Sequence, residues 1–308
     1  MNRSLLSIAQ LSTSELHALL SSSKKLQDSD ARNTALAGKT IGLLFYENST
    51  RTRVSFENAI KRTGAAALGL AVASSSIQKG ETLQDSARNL AALGVDGFVI
   101  RHPDAGAAEL LARSQPLPVV NAGDGMHAHP TQALLDALTL WQGWGASPDW
   151  LAGKKILILG DVRHSRVARS NLELLPRLGA EVTLCAPGPL LPRADELSTY
   201  GRIRRVQFPE DSLRECDAVM VLRLQRERQT SGFIPSLAEY TRFWGLTRER
   251  LSLLRQDALI LHPGPANPDL EISIEAMEDS RSRILAQVNA GIYVRMAALL
   301  RAFGRLES

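Results

Sequence analysis

Lys155-Ile156-Leu157-Ile158-Leu159-Gly160-Asp161-Val162-Arg163-His164-Ser165-Arg166 decides how this chain folds. The apolar residues from Ile156 to Leu159 run without alternation, so neither face of this strand looks at water. Such a strand belongs inside a parallel sheet covered on both sides. It ends in a glycine and then in polar and cationic residues. The same unit recurs outward in both directions. Strands are expected at 40–46, 66–72, 97–100 and 117–121 before it, and at 181–186, 217–222 and 257–261 after it. Helices are expected near 52–63, 82–93, 106–114, 131–142, 164–178, 235–242, 247–255 and 284–303. Ser12 and Glu15 form a capping box for a further N-terminal helix, with Leu11 and Leu16 as its staple and Leu16, Leu19, Leu20 and Leu26 on one face.

Four of these strands precede a stretch rich in Gly and Trp at 141–153, and four follow it. Strand–helix alternation on both sides implies an α/β fold of two similar-sized open parallel-sheet domains. Residues 1–140 would form the first domain and 141–283 the second, with the C-terminal helix, 284–308, returning to the first.

The 308 residues are 44% hydrophobic and 22% charged, a balance suited to a soluble globular chain with two cores. No apolar run reaches membrane-spanning length, and the N-terminus lacks a basic start before an apolar stretch, so a cytoplasmic protein is expected. Cys185 and Cys216 lie far apart in apolar surroundings and read as buried thiols. No His/Cys/carboxylate cluster has zinc spacing, so no metal is expected. Net charge is +4, and of 36 basic residues only seven are lysine and 29 are arginine. They stand singly among carboxylates, which suits a pocket for anionic small molecules better than a nucleic-acid stripe.

In open α/β sheets ligands bind beyond the carboxyl ends of the strands, and the notable polar residues fall there. After strand 40–46 comes Asn48-Ser49-Thr50-Arg51-Thr52-Arg53, three hydroxyls and two guanidinium groups where a helix begins. A helix N-terminus attracts anions through unpaired N–H groups and its dipole, and hydroxyls with an arginine fork suit phosphate. The same residues also read as an ordinary N-cap followed by surface arginines. Strand 97–100 runs into Arg101-His102-Pro103, and strand 117–121 leads to His129-Pro130-Thr131-Gln132. The later strands give Asp161 to Arg166, Arg223-Leu224-Gln225-Arg226-Glu227-Arg228 and His262-Pro263-Gly264-Pro265. Singly, His129 reads as a helix cap, the arginines from 223 to 228 as a solvated cluster and the 262–265 loop as turn chemistry. Together they point to a cleft between the two domains. The glycine patterns of dinucleotide and P-loop sites are missing, so NAD and ATP lose support.

Ser49-Thr50-Arg51-Thr52-Arg53, Arg101-His102-Pro103, His129-Pro130-Thr131-Gln132, Arg223-x-Gln225 and His262-Pro263-x-Pro265 resemble the aspartate/ornithine carbamoyltransferases, in family order from about residue 45 to 270. The resemblance implies that Ser49, Thr50, Arg51 and Thr52 hold the phosphate of carbamoyl phosphate and that Arg101 bridges phosphate and carbonyl oxygen. His129, with Thr52 and Arg101, would polarise the carbonyl, while Gln132 and the backbone carbonyls of Gly264 and Pro265 would receive the carbamoyl NH2. Arg166 and Arg223, assisted by Gln225, look like the ligands of L-aspartate, and Ser75 and Lys79 resemble the loop that enters a neighbouring subunit's site, Lys79 also reaching aspartate. Catalytic chains would then form at least a homotrimer, open to regulatory or dihydroorotase-like chains, with no cofactor. The resemblance places the chain on the aspartate side of the family, since the His-Cys-Leu-Pro loop and the Ser-Met-Gly segment of the ornithine enzymes are missing. The alternative is a carbamoyltransferase acting on ornithine or an acylated ornithine. Gly264 replaces a bulkier apolar residue of other members, at a position that contributes backbone.

Overall fold

The computed structural model describes residues 3–30, 32–69, 82–145, 149–225, 234 and 236–306. In chain order the elements are α1 (Thr13–Ser29), β1 (Thr40–Phe45), α2 (Thr50–Arg62), β2 (Ala66–Gly69), α3 (Leu83–Ala92), β3 (Gly97–His102), α4 (Ala107–Ser114), β4 (Val119–Asp124) and α5 (Pro130–Trp144). They continue with β5 (Lys155–Leu159), α6 (Arg166–Leu174), β6 (Glu181–Cys185), α7 (Ala194–Leu197), β7 (Ile203–Val206), α8 (Glu210–Glu215), β8 (Ala218–Val221), α9 (Leu237–Trp244), α10 (Arg248–Leu251), β9 (Leu259–Leu261), α11 (Ile274–Glu278) and α12 (Ile284–Ala302). The chain divides into two units, Met1–Leu138 with Asn289–Ser308, and Thr139–Val288. Both divisions fall inside helices, α5 and α12.

The first unit is built on a parallel sheet of order β2-β1-β3-β4. Leu44, Phe98, Ile100 and Val119 of the sheet share a core with Leu90 of α3 and Leu111 of α4. At the start of α1 the Ser12 hydroxyl accepts from the Glu15 amide at 3.2 Å, and the Ser12 amide donates to the Glu15 carboxylate at 2.8 Å. Leu11, Leu16, Leu19 and Leu20 are buried as the spacing predicts, while Leu26, in the last turn, is only half-buried. The C-terminal part of α12 belongs to this unit, where Arg301 donates to Glu15 at 2.7 Å and Tyr293 to Asp30 at 2.6 Å.

The Ser12 amide first, and Arg301 second, hold the Glu15 carboxyl down to about 2. A carboxyl depressed in the folded state stabilises fully above its unfolded value, and that contribution is lost as pH falls toward the folded value. Glu15→Gln therefore lowers the melting temperature at pH 7 but leaves it unchanged near pH 2, where the wild-type carboxyl is itself becoming protonated. Thermal melts of both proteins between pH 7 and 2 check this, and a difference that persists undiminished at pH 2 would refute it.

The second unit carries a parallel sheet of order β7-β6-β5-β8-β9. Ile156–Leu159 and Ala218–Val221 are buried throughout, and Leu157, Leu159, Val219, Val221 and Ile260 pack with Leu213, Leu246 and Ile272. The four strands expected in this half become five among the described residues. The extra one, β7, pairs only with β6, and in its Ile-Arg-Arg-Val sequence both arginines are exposed. An edge strand this short and charged carries neither a continuous apolar run nor an alternation. The helix expected over 164–178 ends at Leu174, and Pro176–Leu178 forms a 3₁₀ turn, because proline has no N–H to continue the ladder. The one expected over 247–255 shortens to α10. Cys185 and Cys216 are buried as expected, and burial pushes both thiols up to about 12, so neither is a thiolate at neutral pH. No described helix is long and apolar enough to cross a membrane.

Candidate active site

Each sheet reverses its winding once, the first between β1 and β3 and the second between β5 and β8. Loops leaving two such strands diverge to opposite faces, which opens a crevice at their carboxyl ends. Of the residues singled out in the sequence, Ser49 to Thr52, Arg101, Arg166, Arg223 and Gln225 lie at or beyond the carboxyl ends of these four strands, while His129 with Gln132 and the 262–265 loop follow the neighbouring strands β4 and β9.

In the first unit Phe45 ends β1 in register with Arg101 of β3, and the Tyr46 amide donates to the Arg101 carbonyl at 2.8 Å. Ser49 then caps α2 by position only, since its hydroxyl makes no capping bond. The reading of this stretch as an ordinary side-chain cap fails at that point. Thr52 is buried and Arg51 is exposed on the first turn, whereas Arg53 pairs with Glu57 at 2.9 Å along the helix. Arg101, half-buried with its side chain 12% exposed, reaches the Ala122 carbonyl and the Glu47 carboxylate, each at 3.4 Å. His102 is held differently. Its Nδ1 accepts from the Asp104 amide at 3.0 Å, and burial holds its imidazole below the ordinary value.

Asp124, at the end of β4, shapes the loop that delivers His129. It accepts from the Gly106 amide at 2.7 Å, Asn121 Nδ2 at 2.8 Å and the Ala128 amide at 3.1 Å, and faces His127 Nδ1 at 3.0 Å. Burial raises its carboxyl, but these bonds, led by His127, hold it below the usual value. His129 is 4% exposed, and its carbonyl accepts the Gln132 amide at 2.9 Å to start α5. Gln132 donates Nε2 to Asp136 at 2.9 Å. A carboxylate can only accept, so the orientation of this amide is fixed and Oε1 is its acceptor end. Three adjacent strand ends thus gather Ser49 to Thr52, Arg101, His129 and Gln132 within one unit.

In the second unit β5 is followed by Gly160, whose φ of +118° suits glycine and where a Cβ would stand 3.0 Å from the Leu222 carbonyl. The Asp161 carboxylate accepts from His164 Nδ1 at 2.8 Å and from the His164 amide at 3.2 Å. Ser165 caps α6 by accepting from Ala168 at 3.1 Å, and Arg166, buried, opens the helix. Beyond β8, Arg223 and Gln225 are half-buried. Beyond β9, His262 Nδ1 accepts from the Gly264 amide at 2.8 Å, which puts its proton on Nε2, 3.3 Å from Glu271. Glu271 also takes the Asn267 amide at 2.6 Å, and the His262 amide donates to Gln287 at 2.9 Å. The 262–267 loop is therefore a hydrogen-bonded frame around the Gly264 and Pro265 carbonyls as well as a proline turn. Gly264 has φ +60°, the left-handed region, where a side chain costs about 1–2 kcal/mol. Ser75, Lys79, Arg226 and Arg228 lie outside the described residues. No group of three or more described His, Cys, Asp or Glu side chains is placed to hold a metal ion.

Residues 3–142 match the model of the aspartate/ornithine carbamoyltransferase carbamoyl-P binding domain, and residues 152–302 match that of the Asp/Orn binding domain. The chain belongs to the aspartate/ornithine carbamoyltransferase family. It is 48% identical to the aspartate carbamoyltransferase catalytic subunit of Desulforudis audaxviator, with 99% of each chain covered. It is 51% identical to that of Maricaulis maris over 88% of this chain and 82% of the relative. Among solved structures it is similar to aspartate transcarbamoylase from Trypanosoma cruzi in complex with carbamoyl phosphate and aspartate. The TM-score there is 0.85 at 32% identity, with 97% of this chain and 96% of that chain covered.

The carbamoyltransferase motifs did not reveal the residues that hold them. Glu47, Asp124, Asp136 and Glu271 each accept from a motif residue or from its loop. For Asp136 a signal was present, since it is the one charge in Ala133-Leu134-Leu135-Asp136-Ala137-Leu138.

Proposed function

We propose that the protein transfers the carbamoyl group of carbamoyl phosphate to the α-amine of L-aspartate, giving N-carbamoyl-L-aspartate and phosphate in de novo pyrimidine biosynthesis. The acceptor assignment is carried by Arg166 and Arg223 at the carboxyl ends of the adjacent strands β5 and β8. Two guanidinium forks match the two carboxylates of aspartate, whereas the side-chain cation of ornithine would be repelled. The relatives named aspartate carbamoyltransferase, and the solved structure holding carbamoyl phosphate and aspartate, support the same assignment.

In this mechanism the amine nitrogen bonds to the carbonyl carbon, the carbonyl oxygen takes negative charge, and the C–O bond to phosphate then breaks. Ser49, Thr50, Arg51 and Thr52 bind the phosphate, Arg101 spans phosphate and carbonyl oxygen, and His129 with Thr52 donates to the oxyanion. The Oε1 of Gln132 and the carbonyls of Gly264 and Pro265 accept from the carbamoyl NH2 and orient it. Gln225 assists Arg166 and Arg223 at the aspartate. The departing phosphate takes the proton lost by the amine, so no protein base is required. Holding two anions in reacting geometry supplies much of the rate. Ser75 and Lys79 come from a neighbouring copy in a cytoplasmic homotrimer.

Assaying transfer from carbamoyl phosphate to aspartate and to ornithine side by side tests the reading. Turnover with aspartate, with ornithine at least about 100-fold slower in kcat/KM, is expected from one mismatched charge at a pair of guanidinium forks of which Arg166 is buried and Arg223 half-buried. Turnover with ornithine alone would overturn it.

A further inference from the structure

Two helices of the first unit each carry one charged residue in an otherwise apolar run. Asp136 in α5 is fully buried, and Arg295 in α12, within Tyr293-Val294-Arg295-Met296-Ala297, is 4% exposed. Burial brings the Arg295 guanidinium down to about 10, against the opposing attraction of Asp136. The fold makes room for this side chain. One turn earlier stands Gly291, where an added Cβ would overlap Arg295 Nη1.

The two charges touch opposite parts of the site. Arg295 Nη1 donates to Ser55 Oγ at 2.6 Å, its guanidinium lies 5.2 Å over the Phe56 ring, and its Nε has no hydrogen-bond partner among the described residues. Ser55 and Phe56 lie in α2, one turn beyond the phosphate residues Arg51 and Thr52. Asp136 accepts from Gln132 Nε2. Each charge is buried at a cost that its hydrogen bond to the site offsets, Arg295 through Ser55 and Asp136 through Gln132.

We propose that Arg295 and Asp136 are positioning residues for carbamoyl phosphate, Arg295 setting the phosphate-binding turn of α2 through Ser55 and Phe56, and Asp136 aiming the Gln132 amide at the carbamoyl nitrogen. The inference rests on α2 and Gln132 being the carbamoyl phosphate site. A displacement on the order of 1 Å in such a site costs about 100-fold in rate.

The test is the double variant Arg295→Met/Asp136→Leu, with Ser55→Ala beside it. The double variant is expected to stay folded, with a melting temperature somewhat below wild type because two buried hydrogen bonds are lost. Its kcat should fall and its KM for carbamoyl phosphate rise, each by about tenfold or more, while KM for aspartate stays within twofold. Ser55→Ala should weaken binding of inorganic phosphate by about threefold to tenfold, the size of one ordinary net hydrogen bond. A stably folded double variant with wild-type kcat and carbamoyl phosphate KM would overturn the proposal. If the double variant does not fold, unchanged phosphate affinity in Ser55→Ala overturns it just as firmly. Wild-type phosphate affinity in Arg51→Ala would instead remove the site assignment on which the inference stands.

Discussion

Arg51→Ala lowers kcat/KM for carbamoyl phosphate by about 1,000-fold and leaves the fold intact. A bidentate guanidinium–phosphate contact makes two charge-assisted hydrogen bonds of about 1.5–3 kcal/mol each, and about 4 kcal/mol corresponds to a factor of about 1,000 in rate. The fold has little to lose at this position. Arg51 is exposed on the first turn of α2, alanine is the best helix former, and removing a cation from a helix N-terminus relieves repulsion with the dipole. Steady-state kinetics and a thermal melt of the same preparation check both halves. Turnover like wild type would mean that the phosphate binds elsewhere.

That helix start illustrates what the sequence could carry. A continuous apolar strand, a turn and a hydroxyl-rich helix start are local features, so the strand ends and their polar residues were legible from spacing alone. The order of the five motifs then tied residues from both units to one family. The edge strand β7 was hidden because Ile203 and Val206 flank two arginines and the strand has one neighbour, leaving no periodic trace. Whether Ser49 caps its helix was equally hidden, since a cap and an anion site use the same residue types and only the hydroxyl's hydrogen bonds separate them.

The residues behind the site were legible in part. A lone Asp136 or Arg295 in an apolar helix announces a buried charge, but not what it touches. Arg295 meets Ser55 across 240 positions of sequence, a contact that only the return of α12 to the first unit creates. His262 and Glu271 are nine positions apart on a loop, beyond any helical or strand spacing. Their pairing turned a proline-rich loop into a frame that presents two backbone carbonyls.

The second large effect belongs to the acceptor. Arg223→Ala should raise KM for aspartate about 100-fold, the worth of one guanidinium–carboxylate pair of about 3 kcal/mol, while KM for carbamoyl phosphate stays within about threefold. A single ligand brings both halves of the proposal into one measurement. N-(phosphonacetyl)-L-aspartic acid, bound in one of the Trypanosoma cruzi structures, carries a phosphonate and the two carboxylates of aspartate on one skeleton. Calorimetric titration of the wild type, Arg51→Ala and Arg223→Ala with this compound should show tight binding to the wild type and a loss of about 100-fold or more in each variant. Affinity unchanged by either substitution would contradict the binding role assigned to that residue, and no binding to the wild type would contradict the assigned function.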